Sequence, residues 1–149
     1  MLRALARLLG AGEGDVDDEV SREHSVRLAT ALLLVEVARA DYTEELVEDD
    51  AILEQLREFF DLSGEEVELL ADKARAAADR TASLQSFTRQ LNEELELEER
   101  HRIVEMLWRV AFADERLSKY EDSLVRKIAD LLYVSHRDLI RIRNRVRPH

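Results

Sequence analysis

The tetrad Ala38-Arg39-Ala40-Asp41 returns as Ala111-Phe112-Ala113-Asp114, each time closing an apolar run. Acidic residues follow seven or eight positions later, Glu48 and Asp49 in the first instance and Glu121 in the second. Beyond them, Leu56 to Ser63 (LREFFDLS) parallels Ile128 to Ser135 (IADLLYVS). The offset is 73 residues at the aspartates and 72 afterwards, so the first turn is one residue longer. This duplication predicts one unit built twice: apolar helix, acidic turn, amphipathic helix, Ser-capped helix. Two such units bury their apolar helices best against each other, which gives a bundle with pseudo-twofold symmetry.

The chain between these landmarks has little turn punctuation. Four Gly and a single Pro148 are too few for a sandwich or an α/β sheet of this length, whereas Ala, Leu, Glu and Arg abound. The fold class is therefore all-α, a compact bundle of about seven or eight helices. At 149 residues with 46% hydrophobic content, the chain supports one domain with a sizeable core.

Apolar spacing predicts a short amphipathic helix over 2–9, then an acidic, Gly-rich linker over 10–19. Helices are expected from Glu19 to Ala40, Glu45 to Phe60, Gly64 to Asp79, Leu84 to Asn92, Leu97 to Ala113, Ser118 to Tyr133, and from Ser135 onward. The run Ala31 to Ala40 is apolar nearly all round and reads as a central helix. Ser63 with Glu66, and Ser118 with Glu121, have the spacing of capping boxes. The domain organisation is a leader over 1–18 and a single helical domain over 19–149. Its repeat units cover about 28–66 and 101–140, and it ends in a basic tail.

Cysteine is absent, which removes disulfides, thiolate metal sites and cysteine nucleophiles. No apolar run approaches a membrane span, and residues 1–10 lack the continuous apolar core of a signal peptide, so the cytoplasm is the expected compartment. A net charge of −11 argues against nucleic acid as a partner. From Arg137 onward five Arg face one Asp, so the rest of the chain carries about −15. Such a tail suits a helix C-terminus, the acidic body itself, an acidic partner or a membrane surface.

Asp41 and Asp114 close apolar helices, where a carboxylate opposes the helix dipole. Two compensations stay open. The acids either tie down the turns, or join their neighbours around a hard cation such as Ca²⁺ or Mg²⁺, with Zn²⁺ less suited to an all-oxygen set. The groups are Asp41 with Glu44, Glu45, Glu48 and Asp49, and Asp114 with Glu115, Glu121 and Asp122. Neither has the alternating ligands or the Gly of an EF-hand loop. Glu36 interrupts the apolar run, and its repeat counterpart is Arg109, so an ion pair between the two is one expectation and solvent exposure the other. Glu98 and His101 have the spacing of one di-iron ligand pair, but such a bundle needs that motif twice. His24, His101 and His136 read as surface or cap residues, and Trp108 as core.

The paired A-x-A-D units with their downstream acids resemble the tellurite-resistance protein B (TerB) family over about Leu28 to Ile140. The resemblance implies an all-α fold with two helix–acidic loop–helix repeats and a divalent-cation role for the loops. It assigns the motif aspartate to Asp41 and Asp114. The helix-start acid becomes Glu121 in the second unit and Glu48 or Asp49 in the first. The sequence departs from the family where a Gly follows the aspartate, because Tyr42 and Glu115 stand there.

Three classes of function follow. The first is a non-enzymatic cation-binding module in a tellurite-resistance or stress-response setting. The second is an interaction module that recruits a protein partner or a second copy of itself. The third, least favoured, is an enzyme using two carboxylates, since nothing in the chain matches a nucleophile elbow, a phosphate loop or a dinucleotide motif.

Overall fold

Serine precedes four of the described helices, and at three of them its hydroxyl caps the first turn. In the computed structural model Ser63 Oγ accepts from the Glu66 N–H at 3.2 Å, and Glu66 Oε1 accepts from the Ser63 N–H at 3.1 Å. Ser118 and Glu121 repeat the reciprocal pair at 3.0 and 3.3 Å, and Ser135 Oγ accepts from the Asp138 N–H at 3.2 Å. Each bond satisfies an N–H that the first helical turn leaves without a partner. The structure describes the backbone of residues 13–40, 46–80, 83–113 and 117–147, and their side chains except those of 13–18 and 46–48.

Seven helices run through these residues, with no strand among them: α1 (Glu13–Ala38), α2 (Leu46–Phe60), α3 (Gly64–Ala78), α4 (Leu84–Glu94), α5 (Leu97–Ala111), α6 (Lys119–Leu131) and α7 (His136–Val146). One boundary differs from the sequence reading. α1 begins at Glu13, inside the stretch expected to be linker. Glu13, Asp15, Asp17 and Asp18 fall in its first turns, where carboxylates suit the helix dipole, and this offsets the cost of about 1 kcal/mol for Gly14. The helix expected over 2–9 lies outside the described residues.

α1 and α5 form the centre. From Ala29 to Ala38 every α1 residue except Glu36 is buried, while α5 buries Ile103, Val104, Met106, Leu107, Trp108, Val110 and Ala111. α1 packs against α2, α3, α4, α5 and α6, and α5 against α1, α2, α6 and α7. Exchange of the triplet α1–α2–α3 for α5–α6–α7 maps these contacts onto themselves. α1 on α3 becomes α5 on α7, α2 on α3 becomes α6 on α7, and α2 on α5 becomes α6 on α1. α4 is the linker between the triplets, and it packs against α1 and α6.

The duplication extends to single backbone hydrogen bonds. Arg39 N–H donates to Val35 C=O at 3.0 Å and Ala40 N–H to Val37 C=O at 3.2 Å; Phe112 and Ala113 do the same to Trp108 and Val110 at 2.9 and 3.2 Å. Downstream, Asp61 (φ 54°) and Tyr133 (φ 58°) end the second helix of each triplet in the left-handed region. The Leu62 N–H then reaches Arg57 C=O, and the Val134 N–H reaches Ala129 C=O, both at 3.0 Å. This is the long-range bond of a Schellman ending, made here without glycine at a cost of about 1 kcal/mol each.

Candidate functional site

Both acidic turns leave a central helix with the same backbone. Asp41 and Asp114 themselves, with Glu44, Glu45 and Glu115, lie outside the described residues, as does the Glu48 side chain. What leads into and out of the turns is described. The stretch of α2 from Asp50 to Gln55 faces the end of α5 across a groove of roughly 400 Å³, lined by Asp50, Glu54, Arg109, Phe112 and Ala113. The groove thus lies between that stretch of α2 and the last turn of α5.

Two of the predicted acids have defined partners. Arg75 Nη2 of α3 reaches Asp49 Oδ1 at 3.2 Å, so the start of α2 is tied to the third helix of its own triplet. The second triplet has a matching tether, in which Asp122 at the start of α6 accepts from Arg126 Nε at 2.8 Å and lies 4.0 Å from Arg143 Nε of α7. Glu121 occupies the third position of α6 and is 1% exposed, although its capping-box counterpart Glu66 is exposed to water. A box needs only the carboxylate oxygen that faces the cap. Full burial of the group is more than capping requires, and a buried carboxylate persists where positive charge or donors compensate it. Among the described residues, no group of three or more His, Asp or Glu has the geometry to hold a metal ion.

The expected Glu36–Arg109 pair does not form. Arg109 sits on the outer side of α5, 3.9 Å from Glu105 one turn earlier. Glu36 is partly buried; burial raises its carboxyl above the ordinary range, and Arg39 offsets part of the effect. The two positions are equivalent in the repeat yet face different surroundings. Trp108 is core, as read from the sequence, stacked on Phe112 at 5.8 Å with the Arg143 guanidinium 5.7 Å over its ring. His101 Nε2 is 3.6 Å from Asp138 Oδ2, which makes it a cap-side partner and not half of a di-iron pair. Asp138 is held below its usual pKa, chiefly by Ser135, with Arg141 and His101 adding to it.

The basic tail folds back on the body. Arg143 approaches Asp122 and Arg145 bonds Glu105 at 2.9 Å, while Arg141 pairs within α7 with Asp138 at 3.2 Å. Sequence reasoning missed the Arg75 and Arg143 tethers, because their partners are 26 and 21 residues away and no helical spacing links them. It also missed Asn92 Nδ2 and Arg100 Nη1, which cap the α6 carbonyls of Leu131 and Leu132 at 2.9 and 2.7 Å.

Among the described residues no helix is long and apolar enough to cross a membrane. No match was found among curated proteins or among solved structures. The family described as tellurite resistance protein TerB matches residues 27–144, from the central turns of α1 to the last turn of α7, and so takes in both repeats and both acidic turns. The chain belongs to the TerB family.

Proposed function

We propose that this protein is a non-enzymatic, cytoplasmic TerB-type module that takes up a divalent cation, Ca²⁺ or Mg²⁺ before Zn²⁺, at its two acidic turns. The observation that supports this reading is the repetition itself: each central helix ends in the same pair of backbone hydrogen bonds, at Arg39 and Ala40 and again at Phe112 and Ala113, and runs into an acidic stretch. In the sequence Asp41 and Asp114 follow those helix ends, Glu48 and Asp49 lie at the start of α2, and the buried Glu121 lies in the first turn of the helix that follows the second stretch. Hard cations take six to eight oxygen ligands, and each acidic stretch offers several carboxylates toward such a set. The tellurite-resistance or stress-response setting rests on the family description alone.

A second reading, a metal-free adaptor for a protein partner, is favoured by the acids that already have work. Asp49 is held by Arg75 and Glu121 completes a capping box. Thermal melts of the chelated protein with Ca²⁺, Mg²⁺, Mn²⁺ and Zn²⁺ separate the two. At a hundredfold excess over Kd, a native-state ligand adds about 2.7 kcal/mol, which is roughly 5–10 °C for a chain of this size. Cation binding predicts that shift for one hard cation and its loss in Asp41→Asn with Asp114→Asn. A melt that no cation moves, or a shift that the double variant keeps, retires the cation reading.

A further inference from the structure

The outer helices of the two triplets carry opposite charge on equivalent faces. α3 leans on α1 and α2, and α7 on α5 and α6. On α3 the exposed residues Glu65, Glu68, Leu69 and Asp72 have the spacing of one helix face. A shift of 72 residues carries them onto Arg137, Ile140, Arg141 and Asn144 of α7, all exposed except half-buried Ile140, and exposed Arg147 prolongs the basic stripe. Each face also holds an exposed apolar or aromatic group. Leu69 is 59% exposed among the acids, and Tyr133, in the turn leading into α7, is 76% exposed. Like charges stand one turn apart on both helices, Glu68 with Asp72 and Arg137 with Arg141, a spacing that destabilises a free helix. Arg141 reaches Asp138, and Asp72 reaches Arg75, each on its own helix. Among the described residues Glu65, Glu68, Arg137 and Arg147 have no ion-pair partner. Both stripes therefore call for a face of the other sign.

We propose that a second copy of this chain supplies it, with the α7 stripe of one protomer seated on the α3 stripe of the next. Charge and frame both select this occupant. At a net charge of −11 two copies repel, and α7 is the helix through which one attracts the other. The duplication gives the two stripes the same spacing, so charges set at matching intervals on one face meet opposite charges on the other. A rival acidic surface, Glu96, Leu97 and Glu98, lies at the corner between α4 and α5, where no straight helix face is offered. The pseudo-twofold relation sets the two stripes on opposite sides of its axis. The contact is therefore head to tail, and it builds chains or rings instead of a twofold dimer. Two faces of about three turns cover less than a standard interface, and exposed ion pairs are screened by salt, so the association is weak and salt-sensitive.

Sedimentation equilibrium of the whole chain, with chelator throughout so that the outcome is independent of the cation reading, tests the contact. At about 0.5 mM protein and about 50 mM NaCl the weight-average mass is expected to exceed twice the 17.2 kDa of one chain, and to return to one chain by about 0.5 M NaCl. Glu65→Lys with Glu68→Lys makes both stripes basic, and Arg137→Glu with Arg141→Glu makes both acidic. Each variant alone is expected to stay at 17.2 kDa, and an equimolar mixture to recover the mass of the parent, which also shows that both are folded. A mixture that stays monomeric, with both variants as helical as the parent by circular dichroism, overturns the proposal. So does a mass that stops at the dimer, since a face then meets its own copy. Association that the α3 variant keeps moves the seat to another acidic surface and overturns it too. A parent that stays at 17.2 kDa but sediments with vesicles of equal phosphatidylcholine and phosphatidylserine gives the α7 stripe to a membrane instead.

Discussion

The two triplets share a backbone and differ in what covers it. α1 and α5 end with the same pair of hydrogen bonds, and Leu34, Val35 and Val37 of α1 are buried like Leu107, Trp108 and Val110 of α5. At three other equivalent positions the chemistry is reversed. Leu32 is 1% exposed whereas Glu105 pairs at the surface with Arg145; Glu36 is partly buried whereas Arg109 is exposed; Arg39 bonds Asp79 at 2.8 Å whereas Phe112 stacks on Trp108. The faces toward the shared interface are alike and the outward faces are not. α1 has α4 as an additional neighbour, and α5 carries the arginine-rich α7 on its flank. A duplicated frame thus fixes which positions meet across the repeat. What lies outside that interface sets the remainder.

The sharpest test of this contrast exchanges the residues. Leu32→Glu buries a carboxylate with no partner provided, so it should cost on the order of 4 kcal/mol or prevent folding, read as the urea midpoint by circular dichroism. Glu105→Leu loses two exposed ion pairs and should cost under about 1 kcal/mol. Equal losses in both would break the comparison.

A smaller effect separates the caps. Ser63→Ala and Ser135→Ala remove equivalent bonds on exposed helix starts and should each cost about 1 kcal/mol. Ser118→Ala disturbs the cap that orients buried Glu121, and should approach 2 kcal/mol in the same measurement.

The smallest effect is electrostatic and its sign differs between positions. Glu66 and Asp138, 72 residues apart, are both held below their usual pKa, mainly by Ser63 and Ser135. Their ionised forms favour the fold above the unfolded pKa, and this stability is lost as pH falls through the folded values. Glu36 is raised, so its ionisation works against the fold as pH climbs from its unfolded pKa through its folded one. Glu36→Gln should therefore raise the melting temperature at pH 7 and leave it unchanged near pH 3. Glu66→Gln with Asp138→Asn should lower it at pH 7 and converge with the parent at low pH. Melts of the three chains across pH 3–8 check both slopes.

Much of the fold was legible in the chain. Helical spacing located all seven described helices, because burying one face of a helix demands an apolar residue every three or four positions. Ser63, Ser118 and Ser135 marked their helix starts, since a hydroxyl three residues before an N–H is a local bond. The start of α1 escaped, because acids that read as linker also stabilise a helix N-terminus. The candidate site was legible only in part. Its acids stood out by repetition, but neither the partner of Asp49 nor the burial of Glu121 is encoded in spacing.

The sequence by itself determined the helices, their caps, the duplication and the family, since each follows from interactions between residues a few positions apart or from the repetition of a pattern. Tertiary structure alone decided that Glu36 and Arg109 do not meet, that Arg75 and Arg143 tether the helices after each acidic turn, and that α2 and the end of α5 border one groove. Those outcomes depend on which faces of α1, α2 and α5 are brought together. Charge pairs in water are too weak to dictate that choice, so the core makes it and the charged residues settle where it leaves them.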